Sequence, residues 1–390
     1  MSVVSGLSIL IRQHLHDDVQ QLALQRNRFP QLSDTDFRFL IQQVEGRQRT
    51  KDKLPSFAQI EDWWYPVRLS CEQCSSEATA RYKAALIAPL QPDVLIDLTA
   101  GYGVDTFFMA EHAQEAHYVE RNPELCHIAQ HNFSLARPHI RVHNTTAEEF
   151  LASSPHLLSS HRLIYLDPAR RSQSGGKVFR IEDCEPNATE ILPTLRKLTS
   201  HIMIKFSPML DITAAMRALG HDWDTHIVAV NNEVKEVLII TGKGSMHAVN
   251  ICATHTDSFV FNDEEEKKAQ VSFASDIEQY IYEPNAAIIK AGAYRLIGKR
   301  YGIKKLDTNT HLYTSDKLLP DFPGRKWQVQ EVLTKHSALN TKLKYSILTR
   351  NYPLSPDQVR KKLKLQDGDD LYIVGARLQG KPVLVLGNRV

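Results

Sequence analysis

A short apolar strand that breaks into a glycine turn and re-emerges as a helix constrains this chain more than any other stretch. Val94-Leu-Ile-Asp-Leu98 has the length and composition of a buried parallel strand, and Gly101-Tyr-Gly103 follows it. After Asp105 the run Thr106-Phe-Phe-Met-Ala-Glu-His112 has a helical pattern. Strand, glycine turn and helix make the first unit of a nucleotide-binding α/β sheet. The glycines let a ligand approach backbone where a Cβ would collide. Position 106 is Thr, so the spacing is not G-x-G-x-x-G and a dinucleotide pyrophosphate site is disfavoured.

Asp97-Leu-Thr-Ala-Gly-Tyr-Gly-Val-Asp105 resembles the first motif of class I S-adenosylmethionine (SAM)-dependent methyltransferases, an acidic residue followed by a G-x-G turn. That family carries a second acid at the end of the next strand, and Ala116-His-Tyr-Val-Glu120 supplies it. The resemblance implies SAM as cofactor. Asp97 and the Gly101/Gly103 turn would hold its methionine part. Glu120 would bind both ribose hydroxyls, since a carboxylate accepts two hydrogen bonds side by side. Thr146 and Ala147 would flank the adenine, although the family often has Asp where Thr146 stands. Thr99, Asp105 and Arg121, within the same motifs, complete the expected cofactor set.

The surrounding chain alternates strand-like and helix-like segments. Strands are expected at 93–99, 116–121, 139–145, 162–167, 201–206, 225–231 and 236–242, with helical patterns at 105–112, 123–136, 147–153, 187–198 and 210–219. Alternation of this kind predicts an α/β fold, a doubly wound, mostly parallel seven-stranded sheet. The last two strands are separated by only Asn232-Glu-Val-Lys235, too short for a parallel crossover, so the last strand should run antiparallel. Residues 1–60 read as a helical N-terminal region, 61–255 as the methyltransferase domain, 256–320 as a linker with a small ferredoxin-like α+β unit, and 321–390 as a THUMP-like basic α+β unit. The charge run Asn262–Lys268 reads as solvated linker or exposed hairpin, and 286–297 as one helix. The C-terminal succession resembles the modules of a bacterial methyltransferase family.

A third motif, Leu163-Ile-Tyr-Leu-Asp167-Pro-Ala-Arg170-Arg171, ends the fourth strand, where doubly wound sheets bind ligands. It resembles the [DN]-P-P-[YFR] motif of nucleic-acid methyltransferases, which implies that Asp167 and the Pro168 carbonyl orient a target amine. Ala169 and Arg170 depart from that pattern, which puts the target atom in doubt. The fifth strand, Ile202-Met-Ile-Lys205-Phe-Ser-Pro208, lacks the Cys that attack through a C5 adduct requires. The loop from Arg170 to Arg180 is basic and glycine-rich, and Arg170, Arg171 and Lys177 are candidate phosphate contacts.

Charge divides the chain. Residues 281–390 carry 20 Lys/Arg against 9 Asp/Glu, or +11; the remaining 27 against 36 give −9, and the sum is the overall +2. A basic segment on an acidic body implies a polyanionic partner. Arg360, Lys361 and Lys364 are expected on one side of a helix beginning at Ser355. Five cysteines suggest no disulfide framework, and Cys71-x-x-Cys74 has no second pair to complete a zinc site, so no metal is expected. Trp63 and Trp64 read as core packing. No apolar run is long enough for a membrane span, and the N-terminus lacks a basic n-region, so a cytoplasmic location is expected.

The resulting expectation is a SAM-dependent methyltransferase acting on structured RNA, tRNA or rRNA, with a C-terminal docking module. A methyltransferase for protein or small molecules, and a non-catalytic SAM-binding protein, remain open at this level.

Overall fold

The strand that opens the glycine turn is β1, Val94–Asp97, all four residues buried. The computed structural model describes residues 3–153, 161–170, 181–220, 222–334 and 337–390. In chain order β1 is followed by β2 (Glu115–Glu120), β3 (Ile140–Asn144), β4 (Arg162–Leu166), β5 (His201–Phe206), β6 (Trp223–Val230) and β7 (Glu233–Thr241). All seven expected strands are present. The chain divides into two units. The first is Met1–Trp223 with Val237–Thr241, and the second is Asp224–Glu236 with Gly242–Val390.

In the first unit β3, β2, β1, β4 and β5 lie in that order and run parallel. Residues Val237–Ile240 of β7 pair antiparallel with β5, Met203 opposite Ile240 and Phe206 opposite Val237. The order reverses at β1, which sits between β2 and β4, so the crevice of the sheet opens at the carboxyl ends of these three strands. Alternate residues point to opposite faces. Leu95, Tyr118, Leu163 and Tyr165 pack with Phe57, Trp63, Phe107 and Phe133 on one side. Ile96, Val119, Ile164 and Leu166 pack with Ile191, Leu195 and Leu219 on the other. Burial on both faces is why these strands read as unbroken apolar runs.

The N-terminal region is helical as expected, with Leu22, Phe29, Phe37, Leu40 and Val44 as its own small core. The Gln43 amide docks it onto the sheet unit by accepting from Tyr65 N (2.7 Å) and donating to Tyr65 O (3.0 Å).

In the second unit β6 and β7 are joined at Asn231-Asn232, both at positive φ (50° and 67°). The turn is thus two residues rather than the four expected, and paired positive φ is the geometry of a type I′ hairpin, which Asn tolerates. Two further strands were not foreseen. β8 (Met246–Ile251) pairs parallel with β6, and β9 (Thr256–Phe261) pairs antiparallel with β8. The charge run is not a linker loop: Asp263–Lys268 is a helix closed by an Asn262/Glu265 capping box, with four acids in its first turn and two lysines in its last.

A second sheet then forms from β10 (Tyr280–Pro284), β11 (Lys304–Asp307), β12 (Thr310–Ser315), β13 (Gly324–Val332), β14 (Lys344–Thr349), β15 (Leu371–Leu378) and β16 (Lys381–Arg389), in the order β11-β12-β10-β13-β16-β15-β14. Ile281, Leu312, Trp327, Val374 and Val385 form its core. The expected helix 286–297 is two, Ala286–Ala291 and Leu296–Tyr301, interrupted after Gly292 takes the left-handed conformation. Among the described residues no helix is long and apolar enough to cross a membrane.

Candidate functional site

The glycine turn leaves the end of β1 with Gly101 at φ +56° and Gly103 at φ +81°, a region that L side chains rarely adopt. The two glycines do different work. A Cβ on Gly103 would lie 2.8 Å from Phe133 and 3.1 Å from Tyr118, so this position is demanded by packing. A Cβ on Gly101 would meet nothing within 4 Å, so its face is open. Gly101 N donates to Glu120 Oε2 (2.9 Å), and Asn122 N donates to Glu120 Oε1 (2.8 Å). Each carboxylate oxygen therefore holds one N–H and retains a lone pair for a further donor.

Thr99 ties the first motif to the third. Its hydroxyl accepts from Asp167 N at 2.6 Å and fixes the end of β4 against the end of β1. Asp97 is buried (1%) beneath the turn, accepting from Thr106 Oγ1 (2.5 Å) and Thr99 N (3.2 Å). Burial, together with the charges of Asp105 and Asp167, pushes its carboxyl up to about 8 despite these hydrogen bonds. Asp97 is thus enclosed in the protein, with Thr106 and Thr99 as its partners.

Asp105 belongs to a network the sequence did not announce. Its Oδ2 accepts from Ser75 (2.8 Å) and Tyr165 (2.7 Å), and its Oδ1 lies 3.2 Å from Lys83 Nζ. Lys83 is wholly inaccessible to solvent (0%), which only a paired ammonium tolerates. Lys205, on β5, reaches Asp105 Oδ2 at 3.9 Å, Ser75 Oγ at 3.3 Å and Asp167 Oδ2 at 2.5 Å. Burial works to raise the Asp105 carboxyl, but Lys83, Lys205 and the two hydroxyls outweigh it and hold it below the usual range. Asp167 goes the other way: burial and the negative Asp105 raise it against the pull of Lys205. The network orders two lysines and two aspartates so that Asp167, 36% exposed, stands at its outer end.

The remaining expected residues divide. Pro168 is buried behind Asp167. Arg121 points outward and pairs with Glu185 (2.7 Å). The Thr146 hydroxyl accepts from Glu149 N (3.2 Å) at the start of the helix Ala147–Ser153, and Ala147 is buried under that helix. Arg170 bridges Cys184 through its backbone, while Arg171 and Lys177 lie outside the described residues.

In the second unit Arg360 is not a free cation. It donates to Tyr345 O (2.9 Å) and Gln366 O (3.1 Å) and pairs with Asp367. Lys364 ends the helix Pro356–Leu363 in the left-handed conformation, so Arg360, Lys361 and Lys364 do not share a helical face as expected. Lys361, Lys362 and Lys364 are exposed.

Cys71 is buried and its thiol is pushed up to about 12 by desolvation. Trp63 is buried and donates to Tyr102 OH (2.9 Å). Trp64 stacks on His131 and, with Phe39, Asn122 and Leu125, lines a cavity of about 670 Å³ beside the helix that follows Glu120.

A glycine turn after β1, an acid at the end of β2 and an Asp-Pro at the end of β4, on a sheet whose strand paired to β5 is reversed, give the chain the fold of a class I methyltransferase. Comparisons with known proteins agree. The chain is 30% identical to a protein of Porphyromonas gingivalis W83, known from a crystal structure and designated a methyltransferase. The match covers 99% of this chain and 98% of that one, with a TM-score of 0.86. It is also 23% identical, over 353 residues, to an uncharacterised S-adenosylmethionine-dependent methyltransferase of Mycobacterium tuberculosis, found in strains CDC 1551 and H37Rv. That match covers 87% of this chain and 92% of the relative. A family model for a ferredoxin-like domain matches residues 280–323, and one for a THUMP domain-like module matches 324–389. The chain belongs to this family of SAM-dependent methyltransferases with ferredoxin-like and THUMP-like C-terminal modules.

Proposed function

We propose that the chain methylates an amine of a base in structured RNA, tRNA or rRNA, with the cofactor in the crevice of the first unit and the basic second unit docking the RNA. The observation that carries this reading is the Asp167-Pro168 pair at the carboxyl end of β4, coupled through Lys205 to Asp105 and through Thr99 to the glycine turn. Two features fit SAM. The Gly101 face is open where a Cβ would otherwise intrude, and Glu120 keeps acceptor capacity on both oxygens for a pair of ribose hydroxyls.

When bound, SAM supplies an electrophilic methyl group on its sulfonium, so the protein needs to position a nucleophile and exclude water. Lys205 fixes Asp167 through Oδ2, and the carboxylate keeps acceptor capacity on its other oxygen. That oxygen would accept an N–H of the target amine and so orient its nitrogen, and the same carboxylate would take up the proton that the nitrogen sheds once methylated. Asp105 and Lys83, deeper in the network, hold Lys205 in place. The THUMP-like module and the +11 charge of residues 281–390 support an RNA partner.

The test joins binding to transfer. SAM, but not NAD, should stabilise the protein, by about 2.7 kcal/mol at 100-fold over its Kd. Asp167→Ala should keep that stabilisation and lose about 100-fold or more in methyl transfer to a bulk tRNA and rRNA pool. Stabilisation by NAD alone would overturn the cofactor assignment. Loss of SAM binding in Asp167→Ala would make Asp167 a cofactor ligand, and transfer to protein alone would overturn the RNA substrate.

A further inference from the structure

Outside the crevice, the turn between β8 and β9 gathers a thiol, an imidazole and a carboxylate. Cys252 N donates to His255 O (2.8 Å) and closes a tight turn that sets residues 252 and 255 side by side. β9 then brings Asp257 back opposite Asn250 in the β8–β9 register. One donor atom from each of Cys252, His255 and Asp257 lies within 4.8 Å of the other two.

We propose that this turn is a binding site for a divalent transition metal of the zinc type. Three observations support it. First, His255 Nε2 lies 3.6 Å from Asp257 Oδ1. Two such donors on one tetrahedral zinc ion are about 3.3 Å apart, given bonds of roughly 2.0–2.2 Å, so the pair is close to a bridged geometry. Second, His255 Nδ1 faces Thr254 Oγ1 (3.1 Å); the tautomer that donates there leaves the Nε2 lone pair toward Asp257. Third, the Asn250 side chain is buried (4%), and its amide donates to Cys252 Sγ (3.2 Å) and Asp257 Oδ2 (3.4 Å). Its own carbonyl oxygen accepts from Asn232 N (2.8 Å), which anchors it. One fixed amide thus orients two of the three donors, as outer-shell groups of metal sites do.

A surface ion pair would account for His255 and Asp257 but not for the thiol or for the amide aimed at it. A sulfur, nitrogen and oxygen donor set selects zinc or cobalt over magnesium or calcium. Three protein ligands leave a fourth position for water, and exposed His255 gives solvent access to it. Cys252-x-x-His255-x-Asp257 has neither a second Cys pair nor a second His, so it does not stand out in the sequence as a metal motif.

The full-length protein, stripped with chelator, should be titrated with Co²⁺ and then Zn²⁺. One Co²⁺ per chain with a thiolate-to-cobalt charge-transfer band, displaced by Zn²⁺, is expected. Cys252→Ser should abolish the band, and the double variant Cys71→Ser/Cys74→Ser should keep it. Asn250→Ser should weaken binding about 10–100-fold, the range for outer-shell partners. His255→Gln, at an exposed ring, repeats the test should Cys252→Ser not fold. No band in the wild type, a band that survives Cys252→Ser and His255→Gln, or one that follows Cys71 and Cys74 would overturn the proposal.

Discussion

The first unit keeps its functional charges inside, and the second keeps most of its own outside. Lys83, Asp105 and Lys205 are nearly inaccessible, and each has a partner at hydrogen-bonding or ion-pairing distance. Lys361, Lys362 and Lys364 stand in solvent. Buried charges act at one geometry and tolerate no loss of a partner. Exposed charges act as a field, screened by salt and nearly indifferent to which cation supplies it. The proposed site for chemistry and the proposed docking surface for a polyanion would thus use the same residue types in opposite ways. Arg360 shows the boundary: it lies within the basic segment, yet its guanidinium anchors a helix to β14 and to Asp367.

The contrast breaks most visibly at Lys83. Lys83→Met leaves Asp105 buried beside one fewer cation, and loss of a buried partner costs about 3–5 kcal/mol. A denaturant midpoint should fall accordingly, whereas Lys361→Met should leave it nearly unchanged. Equal effects would erase the distinction between the two regions.

Next in size is the response to salt. Replacing Lys361, Lys362 and Lys364 together with Ala should flatten the slope of log K for RNA against log salt by about two to three units, at roughly 0.7–0.9 per phosphate. Sequence preference and SAM binding should not change. An unaltered slope would remove these three lysines from the RNA footprint.

The last test concerns Asp97, inside the first unit. Its carboxyl is raised from an unfolded value of about 3.9 to about 8, so across this window the folded state binds the extra proton. The stability this group contributes is therefore lost as pH rises from about 4 to about 8. Asp97→Asn removes the titration and should gain on the wild type progressively over that range, read as the difference in Tm at each pH. Parallel Tm curves would show that Asp97 is already ionised throughout.

What was legible in the sequence was local. β1, the glycine turn, Glu120 and Asp167-Pro168 each sit in a few consecutive residues, and the parallel sheet followed from the alternation of strand-like and helix-like segments. The network was not legible, because Ser75, Lys83, Asp105, Tyr165, Asp167 and Lys205 come from distant segments that only the folded sheet brings together. A signal was present: Lys205 interrupts an apolar strand, and Lys83 interrupts the small-residue face of the helix Glu77–Ile87. The Asn262–Lys268 helix was missed because a helix with no buried residue carries no apolar period, although its capping box could be read directly. The partners of Arg360 were not legible, because helical spacing groups side chains by direction and says nothing of the carbonyls they reach.

The hairpin of β6 and β7 has a further consequence. The chain passes from the first unit to the second at residue 223, returns at 236 and leaves again at 241. Three crossings interleave the two units along the chain. One cleavage cannot release both intact, because the piece carrying the first unit must either lose the strand at 237–241 or keep the hairpin that belongs to the second. Joining two genes end to end cannot produce this connectivity either. Nor can lodging one unit whole inside the other, which makes only two crossings, and exchanging the second unit for that of a relative requires grafting at all three crossings.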